Sequence, residues 1–308
     1  MNENRIRVGF VGLGSMGLPM AVNVVRAGLA VSGFDIDARA VERLADAGGK
    51  TADSPAAAAE GAEVAVVVVL NSDQVERVLF DEGGVLETLP SGATVMVCTT
   101  VAPDYMRSLG DRLEARGYGL LDCPISGGIV GAEGGSLTTM ASGPPAAFRA
   151  CEPVIAAVGG KGKSYRLGAE VGIGSTVKMV NQLLAGIHIA ASAEAVALGA
   201  RAGADPRVIY EVISNAAGSS WMFNDRVPHM LAGDYTPHSA LDIFVKDLGI
   251  VLDFGESTRF PLPLTAAAHQ MFLMGAAAGL GRQDDSSVVK IFEQIAGVSV
   301  SSPARPGR

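Results

Sequence analysis

Three polar residues at the start of a long apolar run have the types and spacing that suit proton transfer. Lys178 is followed by Asn181 and Gln182, three and four positions later, so on a helix all three project from one face. The rest of the run is apolar on nearly all sides, which is typical of a buried helix. Burial disfavours the charged form of a lysine and adapts it to accept and donate a proton. The alternative is a lysine in the first turn that extends its amino group into solvent.

A second chemical pattern, G-x-G-x-x-G, lies near the N-terminus. It follows an apolar strand pattern at 6–11 and opens a helix pattern, which predicts a dinucleotide-binding turn. Gly12 permits the tight turn, Gly14 lets the backbone approach a pyrophosphate, and the helix N-terminus supplies N–H donors. The predicted cofactor-binding segment is Gly12, Leu13, Gly14, Ser15, Met16 and Gly17.

Asp35 follows the next predicted strand, at 30–34, where an acidic residue binds ribose hydroxyls in such units. A carboxylate there also repels the 2′-phosphate of NADP. Arg39, four positions on, could receive that phosphate, and Asp35 could be an ordinary solvated turn residue. We therefore predict NAD as the cofactor, with NADP as the less favoured alternative.

Two further apolar runs, at 63–70 and 94–98, predict parallel strands. Ligands of open α/β sheets lie beyond the carboxyl ends of the strands, so the residues at these ends are cofactor-side candidates. Each of them could equally be an ordinary helix cap. The candidates are Leu70, Asn71, Thr99 and Thr100.

A serine heads a glycine-rich segment after the next strand pattern. Ser126, Gly127 and Gly128 can present a hydroxyl and adjacent backbone N–H groups to an anion such as a carboxylate. Serine and glycine are also common in flexible turns, so the pattern alone leaves both interpretations open.

Strand and helix patterns alternate up to about residue 168, and only helix patterns follow. Alternation predicts a doubly wound parallel sheet of the Rossmann type. The expected architecture is α/β plus all-α: a dinucleotide-binding domain at 1–167, then a helical substrate and oligomerisation domain at 168–300. A long helix at 173–202 is expected to link them and to carry Lys178 into a cleft between the two predicted domains. Residues 301–308, rich in Pro, Ser and Arg, are expected to be disordered.

Composition excludes several classes of partner. A net charge of −8 over 308 residues argues against binding to nucleic acid or to an anionic membrane. The apolar run at 64–70 is too short to span a bilayer, 266–280 is interpreted as a core helix, and no signal-peptide pattern precedes the first strand. The three cysteines and four histidines show no metal-ligand spacing. We expect a cytoplasmic protein without a metal site.

Four blocks, at 10–17, 122–128, 172–178 and 246–248, occur in the order found in the β-hydroxyacid dehydrogenases, the family of 3-hydroxyisobutyrate dehydrogenase. The sequence resembles that family over residues 5–296. The resemblance implies an enzyme that oxidises a small hydroxyacid with NAD, forms a homodimer or homotetramer, and has a Rossmann domain followed by a helical domain.

The resemblance also assigns roles to individual residues. It implies that Lys178 is the general acid and base, that the Ser126-Gly127-Gly128 segment binds the substrate carboxylate, and that Lys246 and Thr100 contact the cofactor. By family position, we expect Gln182, with Asn181 as the weaker candidate, to orient the reacting oxygen.

Two positions depart from the family pattern. Most members have Asn where this chain has Gln182, and Ala where it has Cys123. The second half is most similar to a subgroup that oxidises the four-carbon sugar acid L-threonate at C2, and Gln182 agrees with that subgroup.

Other interpretations of the same residues stay open. The alternatives within the family are a 3-hydroxyisobutyrate dehydrogenase and a tartronate semialdehyde (2-hydroxy-3-oxopropionate) reductase. The related 6-phosphogluconate dehydrogenases have a larger helical domain, and imine reductases generally lack the lysine. The alternative outside enzymes is a module that binds NAD only as a signal.

Overall fold

A computed structural model describes residues 5–301 of the chain. The chain divides into two compact units, one ending at Lys178 and the other beginning at Met179. Each unit is described by itself below. From residue 302 onward, the predicted disordered tail lies outside the described residues.

A parallel six-stranded sheet is the centre of the first unit. Its strands are β1 (Arg7–Val11), β2 (Ala30–Phe34), β3 (Lys50–Thr51), β4 (Val64–Val67), β5 (Thr94–Val97) and β6 (Gly119–Asp122). Their order across the sheet is β3-β2-β1-β4-β5-β6, which is the doubly wound order of dinucleotide-binding folds. The predicted Rossmann-type sheet is confirmed. The sequence did not indicate β3, because its two residues are exposed and have no apolar pattern.

Alternate residues of the central strands enter different hydrophobic cores. Val64 and Val66 of β4 belong to one core, whereas Ala65 and Val67 belong to the other. Because successive side chains of a strand point to opposite faces, helices must cover both faces of this sheet. The helices of the first unit are α1 (Gly17–Arg26), α2 (Ala38–Asp46), α3 (Pro55–Ala59), α4 (Ser72–Phe80), α5 (Pro103–Glu114), α6 (Gly128–Glu133) and α7 (Pro145–Val158).

A second, three-stranded sheet follows the first in the chain. It consists of β7 (Ile125–Ser126), β8 (Leu137–Ala141) and β9 (Gly159–Arg166). β7 and β8 are antiparallel, whereas β8 and β9 are parallel with a shift in register between Leu137 and Thr139.

The long predicted helix is observed as α8 (Ile173–Arg201), and the division between the units falls inside it. The elements after α8 in the described part of the second unit are helices, as predicted, apart from an isolated antiparallel bridge between Ala240 and Asp284. The helices are α9 (Pro206–Ser214), α10 (Trp221–Ala232), α11 (Leu241–Thr258), α12 (Pro263–Ala277) and α13 (Val289–Ala296), with a 3₁₀ turn at Asp285–Val288.

By length and composition alone, α8 could cross a bilayer, and 44% of its most apolar stretch is buried. Core helices of globular proteins meet the same criterion, so this is weak evidence for a membrane span.

A buried ion cluster lies within the helices of the second unit. The Arg226 guanidinium donates to both carboxylate oxygens of Asp285, from Nε at 2.6 Å and from Nη2 at 3.1 Å. Its Nε also lies 4.0 Å from Asp284 Oδ1, and Asp225 forms a further ion pair with it. Burial raises the pKa of Asp285 to about 6, against the opposing charge of Arg226. This cluster joins α10 to the segment that precedes α13.

Candidate active site

The glycine-rich turn after β1 has two positions, Gly12 and Gly17, that leave no room for a Cβ atom. Gly12 has a φ of +94°, and a Cβ atom there would lie 2.1 Å from the carbonyl oxygen of Val68. At Gly17, a Cβ would lie 2.0 Å from the Gly12 carbonyl oxygen, so the helix start packs directly on the turn. At Gly14, by contrast, a Cβ would meet no atom within 4 Å. In dinucleotide-binding turns of this type, the backbone at this position approaches the pyrophosphate.

The Asp35 carboxylate connects the end of β2 to this turn. Its Oδ2 accepts a hydrogen bond from the Leu13 N–H at 2.6 Å, and its Oδ1 accepts one from the Asp37 N–H at 2.8 Å. Asp35 is half-buried. It is therefore fixed beside the predicted pyrophosphate-binding segment, and its contact with the ribose hydroxyls of a cofactor remains a prediction.

Arg39, the candidate for receiving a 2′-phosphate, forms an exposed ion pair. Its guanidinium donates to both oxygens of Asp37, at 3.1 and 3.0 Å. The same carboxylate accepts from the Arg39 N–H at the start of α2. These hydrogen bonds lower the pKa of Asp37 and raise that of Arg39.

The candidates at the ends of β4 and β5 have partners of their own. The Thr99 hydroxyl accepts a hydrogen bond from the Val69 N–H at 3.1 Å and so joins the two strand ends. Asn71 caps α4, since its Oδ1 accepts from the Gln74 N–H at 2.9 Å. Leu70 is half exposed, and Thr100 is partly buried. The cap interpretation therefore holds for Asn71, and contact of these residues with a cofactor remains a prediction.

The Ser126-Gly127-Gly128 segment is a sharp turn between β7 and α6. Gly127 and Gly128 have φ values of +132° and +62°, a region that L side chains rarely adopt. A Cβ on Gly128 would meet no atom within 4 Å, and Ser126 is partly buried. The segment thus has a defined backbone geometry and leads into a helix. From the sequence alone, a flexible turn was an equally open interpretation.

The start of α8 is fastened to the ends of β6 and β8. Asp122 Oδ2 accepts hydrogen bonds from the N–H groups of Gly172 at 3.0 Å and Ser175 at 2.8 Å, and its Oδ1 accepts from Ser175 Oγ at 2.7 Å. Ser142 Oγ donates to the same carboxylate at 3.2 Å and accepts from the Gly174 N–H at 2.9 Å. The orphan N–H donors of a helix start are satisfied here by two buried side chains.

Lys178 lies one turn beyond this anchored start. Its side chain is only 7% exposed, so the alternative of a lysine extended into solvent does not describe it. Asn181 and Gln182 follow on the same continuous helix, at the spacing that places them on the face of Lys178. The second unit begins directly after this lysine.

In the second unit, Gln182 belongs to a small network of hydrogen bonds and an ion pair. Its Oε1 accepts from Asn181 Nδ2 at 2.9 Å, and its Nε2 donates to Asp247 Oδ2 at 2.5 Å. The other Asp247 oxygen lies 2.6 Å from Lys246 Nζ. Gln182 and Asp247 are buried, so the amide is held in one orientation, and Lys246 lies at the end of the same chain of contacts.

Two of these residues, Asp122 and Asp247, were not among the site residues predicted from the sequence. Asp122 ends an apolar strand pattern, where a polar residue lies at the ligand-binding edge of a sheet. Asp247 lies three residues after Phe244 and four before Val251, on the buried face of α11. A carboxylate within an apolar helical stripe is the signal that could have identified it.

The first unit fits a dinucleotide cofactor on its own geometry. The open position at Gly14 and the fixed carboxylate of Asp35 lie at adjoining strand ends, β1 and β2, of a parallel sheet. Over residues 5–301, no group of three or more His, Cys, Asp or Glu side chains is arranged to hold a metal ion.

Comparison with known proteins agrees with this geometry. The family model for the NAD-binding domain of 6-phosphogluconate dehydrogenase matches residues 7–168. The model for the NAD-binding domain of NADP-dependent 3-hydroxyisobutyrate dehydrogenase matches residues 172–292.

Similar proteins cover nearly the whole chain. The L-threonate dehydrogenase of Cupriavidus necator is 51% identical over 288 residues, which are 94% of this chain and 96% of that protein. The 3-hydroxyisobutyrate dehydrogenase of Pseudomonas aeruginosa is 33% identical over 92% of this chain and 98% of that protein. A crystal structure of a 3-hydroxyisobutyrate dehydrogenase from Salmonella typhimurium superposes with a TM-score of 0.87 at 47% identity, covering 93% and 99% of the two chains.

Proposed function

The chain belongs to the 3-hydroxyisobutyrate dehydrogenase family, and on that premise we propose that it oxidises L-threonate at C2 with NAD. The observation that carries the proposal is the buried Lys178 at the anchored start of α8. Identity of 51% to an L-threonate dehydrogenase over 94% of the chain supports the choice of substrate.

The residues proposed to bind the cofactor lie in the glycine-rich turn, at strand ends of the first unit and at Lys246. In this proposal the Gly12–Gly17 turn and Asp35 hold the pyrophosphate and the ribose, and the strand-end residues and Lys246 are further cofactor contacts. The strand-end residues are Leu70, Asn71, Thr99 and Thr100. NAD, when bound, supplies the acceptor for a hydride. Asp35 favours NAD over NADP, because a 2′-phosphate would meet its carboxylate.

Lys178 performs the proton transfer in the proposed reaction. The Ser126-Gly127-Gly128 segment binds the substrate carboxylate, and Gln182, assisted by Asn181, orients the oxygen at C2. The neutral Lys178 amine accepts the hydroxyl proton as the C2 hydrogen departs with its electron pair, and the C–O bond becomes a carbonyl. In the reverse direction, the Lys178 ammonium group protonates the forming alkoxide.

The test replaces the proton-transferring group. Lys178→Ala should lower kcat for oxidation of L-threonate by about 10²–10⁴-fold, the usual contribution of general acid–base catalysis. Binding of NADH, followed by its fluorescence, should change little. Near-normal turnover in this variant would contradict the proposed role.

A panel of hydroxyacids tests the substrate. Initial rates are measured with L-threonate, 3-hydroxyisobutyrate and D-glycerate, each with NAD and with NADP. A higher kcat/KM for 3-hydroxyisobutyrate or D-glycerate would assign the chain to one of the alternatives within the family. A protein that binds NADH but turns over no hydroxyacid would be a non-catalytic NAD-binding module.

We further propose that the protein is a cytoplasmic homodimer or homotetramer whose partner molecule is a small carboxylate. The net charge of −8 argues against nucleic acid and membrane partners. Exposed apolar side chains on α8, at Val180, Leu184 and Leu198, suit contact with a second copy. Light scattering after size-exclusion chromatography gives the mass, and a monomer would contradict this assembly. The domain roles at 1–167 and 168–300 belong to the same proposal.

A further inference from the structure

We propose that Asp122 is a positioning residue that fixes the start of α8, and with it Lys178, relative to the sheets of the first unit. The inference rests on the proposed role of Lys178 in proton transfer. Asp122 is fully buried, with no exposed surface, and ends strand β6. It therefore belongs to a strand of the parallel sheet and not to a loop.

The contacts of Asp122 converge on the first turn of α8. Four hydrogen bonds reach its carboxylate, two from the N–H groups of Gly172 and Ser175 and two from the hydroxyls of Ser142 and Ser175. Its backbone is tied as well, because the N–H and the carbonyl of Asp122 both pair with Ser142. One residue thus joins β6, the end of β8 and the helix start.

The fit around this carboxylate leaves little room for the helix to shift. A Cβ atom on Gly174 would lie 2.4 Å from the Met140 carbonyl oxygen and 2.8 Å from that of Asp122. The backbone of the first turn therefore packs directly on both strand ends. A negative side chain at a helix N-terminus also interacts favourably with the helix dipole, which suits a carboxylate better than a neutral group.

Lys178 follows Ser175 by three residues, so its backbone lies about 4.5 Å further along the helix axis at ~1.5 Å per residue. Any rotation or translation of the first turn is passed on to the lysine amino group. Proton transfer tolerates little displacement, since a shift of about 1 Å at a reacting group can cost about 10²-fold in rate. Asp122 acts on the reaction through this placement, without contacting the substrate.

Asp122→Asn tests the inference with little change in side-chain volume, because it replaces one accepting oxygen by an NH₂ group. With the hydroxyacid that the wild type oxidises fastest, kcat should fall by about 10–100-fold, whereas KM and NADH affinity should stay near wild-type values. The deuterium isotope effect on kcat, with substrate labelled at C2, should increase because the chemical step becomes slower. A mere loss of folded protein lowers kcat without changing that isotope effect.

Ser54→Ala is the matched control. It removes the cap of α3, where Ser54 Oγ accepts from the Ala57 N–H at 3.0 Å, and it touches no residue of the proposed site. Its kcat and isotope effect should equal those of the wild type. If Asp122→Asn behaves like Ser54→Ala, Asp122 is only a structural residue and the inference is wrong.

Amide hydrogen exchange gives a readout that does not depend on turnover. In Asp122→Asn, exchange of the segment 172–178 in the full-length protein should be faster than in the wild type and in Ser54→Ala. Unchanged exchange would overturn the inference. Faster exchange in a protein whose wild type oxidises no hydroxyacid would contradict the proposed function and still support anchoring by Asp122. If Asp122→Asn does not fold, Ser175→Ala removes one of the four hydrogen bonds and should show smaller changes in the same direction.

Discussion

Asp122 in the first unit and Asp285 in the second both have no exposed surface, yet they are stabilised by different partners. Asp122 receives hydrogen bonds from the N–H groups of Gly172 and Ser175 and from two serine hydroxyls. Asp285 is paired with the Arg226 guanidinium through two hydrogen bonds. Burial raises the pKa of both carboxyls, and the partners of each oppose that shift.

The difference lies in what each arrangement fixes. Three of the four neutral donors to Asp122 come from the start of α8, so this carboxylate fixes where the helix begins. The pair of Arg226 with Asp285 joins two segments whose residues are 59 positions apart, and removing the guanidinium would leave buried carboxylates without a cation. The first arrangement serves the proposed site, and the second holds the helical unit together.

Removing the guanidinium should have the largest effect on stability. Arg226→Met leaves Asp284 and Asp285 buried without their cation, and breaking a buried pair in this way costs about 3–5 kcal/mol. The free energy of unfolding, measured in urea, should fall by that amount.

The matched control is Arg166→Met, whose partner Glu152 is largely exposed, like Arg166 itself. Pairs of this kind contribute about 0–1 kcal/mol, so the control should unfold almost like the wild type. Equal losses in the two variants would mean that burial does not distinguish the cluster from a surface pair.

The free energy of unfolding should also depend on pH through Asp285. Because the folded-state pKa of Asp285 is raised to about 6 from 3.8, its contribution to stability is fully present below about pH 3.8 and is lost as the pH rises through 6. The loss is on the order of 2–3 kcal/mol. In Asp285→Asn the group no longer titrates, so the difference in free energy of unfolding between wild type and variant should shrink from pH 4 to pH 7. A difference that grows with pH would show that Arg226 outweighs burial.

Local patterns in the sequence predicted the elements but not their distant partners. The run at 63–70 and the G-x-G-x-x-G match with Asp35 were sufficient for the parallel sheet, because burial on both faces and tight turns leave a local signature. α8 was predicted almost to its ends for the same reason.

Contacts between residues far apart in the chain could not be predicted from local sequence patterns. Gln182 and Asp247 are 65 positions apart, and hydrophobic periodicity carries no information about such pairs. The short helix α6 was missed because glycine is a poor helix former, although Gly128 begins that helix. Before α13 the chain forms a 3₁₀ turn at Asp285–Val288, where the Asp284 carboxylate accepts from the Ser286 N–H and hydroxyl.

The smallest expected effects come from removing one serine hydroxyl that donates to Asp284 and one that donates to Asp122. Ser286→Ala removes one donor to Asp284, whose remaining donors include the His238 N–H, so the loss should be about 1 kcal/mol. Ser142→Ala removes a donor to Asp122 and also the acceptor of the Gly174 N–H, so about 2 kcal/mol is expected, since a buried N–H is left unpaired. Urea unfolding measures both losses. Only Ser142→Ala should also lower kcat, because only its hydroxyl holds the helix that carries Lys178. A fall in kcat in Ser286→Ala instead would mean that the ion cluster of the second unit, and not the neutral donors of the first, positions the reacting groups.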